Sequence, residues 1–126
     1  MTGAQPTVLI VDDSEGVCLT LSRMLEKHGY HAYAVHNSRE ALRQVHHQRF
    51  DLILVDRTLG RESGLVLAEK LKQSDASVRL VIITGSESVR TEMEQHAAIR
   101  NVPVLLKPFT TQELLEFVRT VLHHAA

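Results

Sequence analysis

Val8-Leu9-Ile10-Val11-Asp12-Asp13 joins four apolar residues directly to two carboxylates. An apolar run without alternation is the pattern of a strand buried on both faces, as in a parallel sheet covered by helices. Three more runs repeat it. Leu52-Ile53-Leu54-Val55 stops at Asp56, Leu80-Val81-Ile82-Ile83 at Thr84, and Val104-Leu105-Leu106 at Lys107. The C-terminal strand ends of a parallel sheet share one edge, and ligands bind in the crevice there. Three carboxylates, a hydroxyl and an ammonium group are therefore predicted to converge, although they are scattered from Asp12 to Lys107. That set suits phosphoryl transfer.

Helical patterns alternate with these strands. Ser14 to His28 carries Val17, Leu21, Met24 and Leu25 on one face, and Gly29 is placed to stop the helix. His31-Ala32-Tyr33-Ala34-Val35 reads as a strand of mixed pattern, which fits a sheet edge. Asn37 and Glu40 have capping-box spacing and open a helix through about Gln48. Arg57 to Ser63 is read as a loop before a helix beginning near Gly64, with Leu65, Leu67, Ala68 and Leu71 inward. Ser86 is read as the cap of a helix carrying Val89, Met93 and Ala97. Pro103 marks the entry to the last strand, and Thr110 with Glu113 caps a final amphipathic helix. Such alternation predicts an α/β fold: one doubly wound, five-stranded parallel sheet with five helices and right-handed crossovers. With the second strand at an edge, the order is 2-1-3-4-5, and its switch point lies between the strands ending at Asp12-Asp13 and at Asp56.

Composition narrows the function. The chain has 126 residues, expected to form a single domain over 1–126 with 1–6 as a flexible N-terminus. Acidic residues exceed Lys plus Arg by one, without a basic cluster, so no nucleic-acid footprint is expected. No apolar run approaches the roughly 20 residues of a membrane span, and no signal-peptide pattern opens the chain. A cytoplasmic location is expected. The single cysteine, Cys18, falls on a predicted helix and reads as a packed thiol. The eight histidines include His46-His47 and His123-His124, but helical neighbours point apart, so these read as surface positions.

Taken singly, Asp12 or Asp13 is a helix cap, Asp56 a turn opener and Lys107 a solvated charge. Their joint placement at buried strand ends carries the inference. Like charges about 4 Å apart cost on the order of 4 kcal/mol at a protein-surface dielectric, so the cluster calls for a cation or a proton. An all-oxygen set suits Mg²⁺, which keeps several waters.

With these positions in order, the chain resembles the receiver domain of two-component response regulators, from Thr7 to about His123. The matching residues are Asp12-Asp13, Asp56, Thr84, Lys107-Pro108 and Gly64. The resemblance implies a flavodoxin-like receiver fold in which Asp56 is the phosphoacceptor, charged by a histidine kinase or phosphotransfer protein. It implies Mg²⁺ held by Asp12, Asp13, Asp56 and the Thr58 backbone carbonyl. Lys107 would pair with the phosphoryl oxygens through a cis Lys107-Pro108 segment, and Thr84 would move toward the phosphoryl group. Phosphorylation and dephosphorylation would be self-catalysed, without turnover as an enzyme. The face of the fourth helix, fifth strand and fifth helix would serve a homodimer or partner. Two departures stand out: Val104 occupies a position often aromatic, and Leu59-Gly60 replaces the frequent Met-Pro. Val104 keeps a second class of function open, a phosphorylation-independent interaction module of receiver type. A phosphatase working through an aspartyl-phosphate is weaker, since Asp56-Arg57-Thr58 lacks the second acidic residue and no cap domain is present. A nucleotide-binding flavodoxin-like protein is weaker still, without a glycine-rich loop after the first strand.

Overall fold

The computed structural model describes residues 5–123. Strands β1 (Thr7–Val11), β2 (His31–Val35) and β3 (Leu52–Asp56) alternate with helices α1 (Glu15–Glu26) and α2 (Ser38–His47). A short hairpin of β4 (Thr58–Leu59) and β5 (Glu62–Ser63) leads into α3 (Gly64–Ser74). Then follow β6 (Leu80–Thr84), α4 (Val89–Met93), a 3-10 turn at Ala97–Ile99, β7 (Val104–Leu106) and α5 (Thr111–His123). The main sheet is parallel and five-stranded in the order β2-β1-β3-β6-β7. Once the small hairpin is set aside, this is the expected 2-1-3-4-5 order. His124 and residues 1–4 of the expected N-terminal tail lie outside the described residues.

Strand alternation divides the core into two layers. Leu9, Val11, Ile53, Val55, Leu80 and Ile82 face α2, α3 and α4; Val8, Ile10, Leu52, Leu54, Val81 and Ile83 face α1 and α5. Both faces of the central strands are thus covered, which is why their sequences run apolar without interruption.

Helix entries follow local chemistry. Ser14 Oγ accepts from Val17 N–H, and Asn37 Oδ1 accepts from Glu40 N–H. Glu40 reaches back to His36 N–H, one residue earlier than a standard capping box. At α5 the box closes: Thr110 Oγ1 accepts from Glu113 N–H at 3.0 Å, and Glu113 Oε1 accepts from Thr110 N–H at 2.7 Å. Thr110→Ala is expected to cost about 1 kcal/mol, seen as a melting temperature a few degrees lower.

Two expectations need correction. The segment from Arg57 to Ser63 is not plain loop, because Thr58 pairs with Ser63 and Leu59 with Glu62 around a two-residue Gly60-Arg61 turn. Gly60 has φ 63°, as the first central position of a type II′ turn requires. The fourth helix is also shorter than expected. Ser86 spends its hydroxyl on Ser88, and Ser88 rather than Ser86 stands at the N-cap. Val89 and Met93 are buried on α4, but the next buried residue is Ile99, off helical spacing, whereas Ala97 is exposed. The backbone turns Ile99 inward by leaving the α-helix after Met93. His96, bonded to Glu69 of α3 at 3.1 Å, holds that departure.

Candidate functional site

Asp12 directly follows β1, Asp56 ends β3, Thr84 ends β6 and Lys107 directly follows β7, so all four lie along one sheet edge. The centre is Asp56. Its Oδ2 accepts from Lys107 Nζ at 2.9 Å, and its Oδ1 accepts from Thr58 N–H at 2.9 Å. The Asp56 side chain is 13% exposed and that of Lys107 is 39% exposed. The Lys107–Pro108 bond is cis, as the resemblance implied.

Asp12 is buried, and its Oδ1 accepts from Ser14 N–H at 2.9 Å. Burial is the main cause that pushes its carboxyl up to about 6, and the Asp56 carboxylate beside it adds to the shift. The Ser14 N–H and the Lys107 ammonium act in the opposite direction. Asp13 is exposed and lies at the mouth of the site, where the Cβ of any residue replacing Gly60 would sit 3.6 Å from its Oδ2. Among the described residues, no three His, Cys, Asp or Glu side chains are gathered tightly enough to cage a metal by themselves. The donor chemistry nevertheless fits Mg²⁺. Two adjacent carboxylates in a buried corner repel each other, a third stands at the opening, and Mg²⁺ takes few protein ligands beside its waters.

Thr84 is buried on the α4 side of the sheet. Its Oγ1 accepts from Ser86 N–H at 3.0 Å, and its carbonyl accepts from Lys107 N–H at 2.8 Å. Cys18 is not part of this chemistry: burial raises its thiol to about 11, and its Sγ donates to the Asp12 carbonyl. His46, His47 and His123 are exposed.

Other residues at this edge emerge only in three dimensions. Arg57 forms a two-point ion pair with Glu92 on α4. Glu62 Oε1 accepts from Ser38 N–H at 2.9 Å and ties the hairpin to the start of α2. Gly64 lies against the backbone of Asp56 and Arg57. Strand alternation past Asp56 could have assigned Arg57 to the α4 face, but neither acidic partner has a signal in the sequence.

A profile of the response regulator receiver domain matches residues 8–119, and the chain belongs to that family. Receiver domains are signalling domains of two-component systems, not classical enzymes. They interact with histidine kinases or phosphotransfer proteins, and the family binds Mg²⁺ at its acidic pocket. Sporulation initiation phosphotransferase F of Bacillus subtilis is 29% identical over 117 residues, covering 91% of this chain and 92% of its own length. The transcriptional regulatory protein ZraR of Escherichia coli is also 29% identical, over 126 residues, but the match spans only 28% of its length. Among solved structures, the Vibrio cholerae chemotaxis protein CheY4 superposes with TM-score 0.84 at 26% identity, covering 94% of this chain and 99% of that one. No helix among the described residues is long and apolar enough to cross a membrane.

Proposed function

We propose that this chain accepts a phosphoryl group on Asp56 from the phosphohistidine of a histidine kinase or phosphotransfer protein, and signals through altered protein contacts. The observation that carries this reading is the setting of Asp56: an ammonium on one oxygen, a backbone N–H on the other, and a second carboxylate beside it. One Asp56 oxygen forms the new P–O bond as the P–N bond to imidazole breaks, and the imidazole leaves with a proton from solvent. Lys107 neutralises charge on the transferring oxygens, and Thr84 supplies a hydroxyl to the phosphoryl group. Asp12, Asp13, Asp56 and the Thr58 carbonyl would hold Mg²⁺, which when bound offsets the phosphoryl and carboxylate charge. Loss of the phosphoryl group is also self-catalysed, without a separate enzyme activity.

The reading extends to a single cytoplasmic receiver domain without nucleic-acid contacts of its own. Its α4, β7 and α5 face, with Leu106 exposed, serves a second copy or another partner. Intact-mass spectrometry after incubation with acetyl phosphate and Mg²⁺ tests the central step. One phosphoryl adduct on the native chain and none on Asp56→Asn is the expected result. An equal adduct on both would move the acceptor elsewhere. No adduct from either acetyl phosphate or a phosphorylated histidine kinase would leave an interaction module in place of a phosphoacceptor.

A further inference from the structure

Asp56 and Arg57 are neighbours, so strand alternation sends their side chains to opposite faces of the sheet. Asp56 shares the parity of Leu52 and Leu54, on the side of α1 and α5, and Arg57 that of Ile53 and Val55, on the side of α4. There the guanidinium donates twice to Glu92, from Nε to Oε1 at 3.1 Å and from Nη2 to Oε2. The Arg57 backbone is fixed as well. Its N–H donates to the Ile83 carbonyl at 2.9 Å, and its carbonyl accepts from Gly64 N–H at 2.7 Å. Any shift of the β3 end must therefore reach the Arg57 side chain.

The receiving element is weakly built. Helix α4 has five residues, Val89–Met93, and no side-chain hydrogen bond at its N-cap. One turn is far below the length at which a helix persists alone, so tertiary anchors fix its place. Its anchors are the buried Val89 and Met93, the Arg90 guanidinium on the Val102 carbonyl at 2.9 Å, and Glu92 on Arg57. Only the last leads directly to the residue after Asp56.

We propose that the Arg57–Glu92 pair is a tether that couples the end of β3 to α4 and is released when Asp56 is phosphorylated. The proposal rests on the phosphoacceptor reading of Asp56. A forked guanidinium–carboxylate pair is directional and is either made or broken, which is what a switch between two arrangements requires. It also gives the chain a route to α4 where Val104, short and half-buried, stands in the place of a mobile aromatic ring. Arg57 is a positioning residue and takes no part in the bond chemistry.

Amide hydrogen exchange across Val89–Met93 tests the tether. It is followed in the native chain, Arg57→Gln, Glu92→Gln and the double variant, before and after acetyl phosphate with Mg²⁺, with intact mass giving the phosphorylated fraction. In the unmodified state, each single variant should exchange about threefold to tenfold faster in α4 than the native chain, and the double variant no faster than either. Arg57→Lys keeps the charge without the fork and should recover only part of the difference. Phosphorylation should speed α4 exchange in the native chain and change it little in the variants. Native-like exchange in the unmodified single variants would overturn the tether, as would effects that multiply in the double variant. An equal response to phosphorylation in all chains would overturn the coupling. A native chain that gains no adduct from acetyl phosphate or from a phosphorylated histidine kinase removes the phosphoacceptor reading and the coupling with it, while the comparison of unmodified chains still decides whether the tether exists.

Discussion

Gly64→Ala is expected to lower the melting temperature by about 10 °C, whereas Gly16→Ala, the same change elsewhere, raises it slightly. A Cβ on Gly64 would lie 1.9 Å from the Asp56 carbonyl oxygen, 2.8 Å from the Asp56 carbonyl carbon and 3.0 Å from that of Arg57. All three are backbone atoms of a strand end in the middle of the sheet, so no rotamer change relieves the clash. The first turn of α3 must retreat instead. It would stretch the 2.7 Å bond from Gly64 N–H to the Arg57 carbonyl and loosen Leu65, Leu67 and Ala68 from the core. Overpacking against atoms that cannot move costs about 2–4 kcal/mol, well above the roughly 0.4–1 kcal/mol gained by restricting the unfolded chain. At Gly16 the nearest atom to a new Cβ is Ser14 Oγ at 3.9 Å, an ordinary contact in the first turn of α1, so there a helix-propensity gain, smaller than the roughly 1 kcal/mol of a helix interior, is felt unopposed. The Gly64 variant should also accept the phosphoryl group about a hundredfold more slowly, because the retreat of α3 pulls on the connection back to Thr58, whose N–H orients the Asp56 carboxylate, and a misplacement of about 1 Å there is costly. Thermal melts of both variants, with intact-mass time courses, check these effects. A Gly64→Ala chain as stable as the native one would mean that α3 starts with more freedom than these distances allow.

The strands and their order were legible because both faces of the sheet are covered. Leu52-Ile53-Leu54-Val55 must be apolar throughout to fill two layers at once, and such a run is unambiguous in one dimension. The mixed pattern of His31 to Val35 marked an edge because Tyr33 is exposed there. Asp12, Asp56, Thr84 and Lys107 were legible for the same reason: once the strands are located, their ends are located too. The β4–β5 hairpin was not, since two residues per strand carry no periodicity. The end of α4 was misleading because Ala97 continues the spacing of Val89 and Met93, while the side chain with volume to bury is Ile99. Arg57 and Glu92 lie 35 positions apart, and two charged residues at that separation show no sign of pairing until the fold sets α4 beside the end of β3.

Asp12→Asn should stabilise the metal-free protein at neutral pH by about 1–3 kcal/mol, a melting temperature several degrees higher, although it removes a buried polar group's native charge. The Asp12 carboxyl stands at about 6 in the folded chain against 3.8 as its ordinary value. A raised folded value means that the native state holds the proton more tightly than the unfolded chain does. The resulting stability is complete below about 3.8 and disappears as pH rises through about 6. At pH 7.5 the ionised Asp12 is thus held against burial and against Asp56, and its neutral isostere is not. Asparagine keeps an oxygen for Ser14 N–H, so the turn into α1 stays closed. The advantage should shrink near pH 4.5, where Asp12 is protonated in the native chain. Mg²⁺ narrows the difference under the proposed reading. The native chain gains RT ln(1 + [L]/Kd), about 1.4 kcal/mol at ten times Kd, while the variant, short of one anionic oxygen ligand, gains less. Melting curves at both pH values, with and without millimolar Mg²⁺, decide the matter. A destabilised Asp12→Asn that responds to Mg²⁺ as the native chain does would assign Asp12 to capping alone. A more stable variant that has lost the response to Mg²⁺ would show that the buried carboxylate is kept at a cost to the fold because the cation needs it.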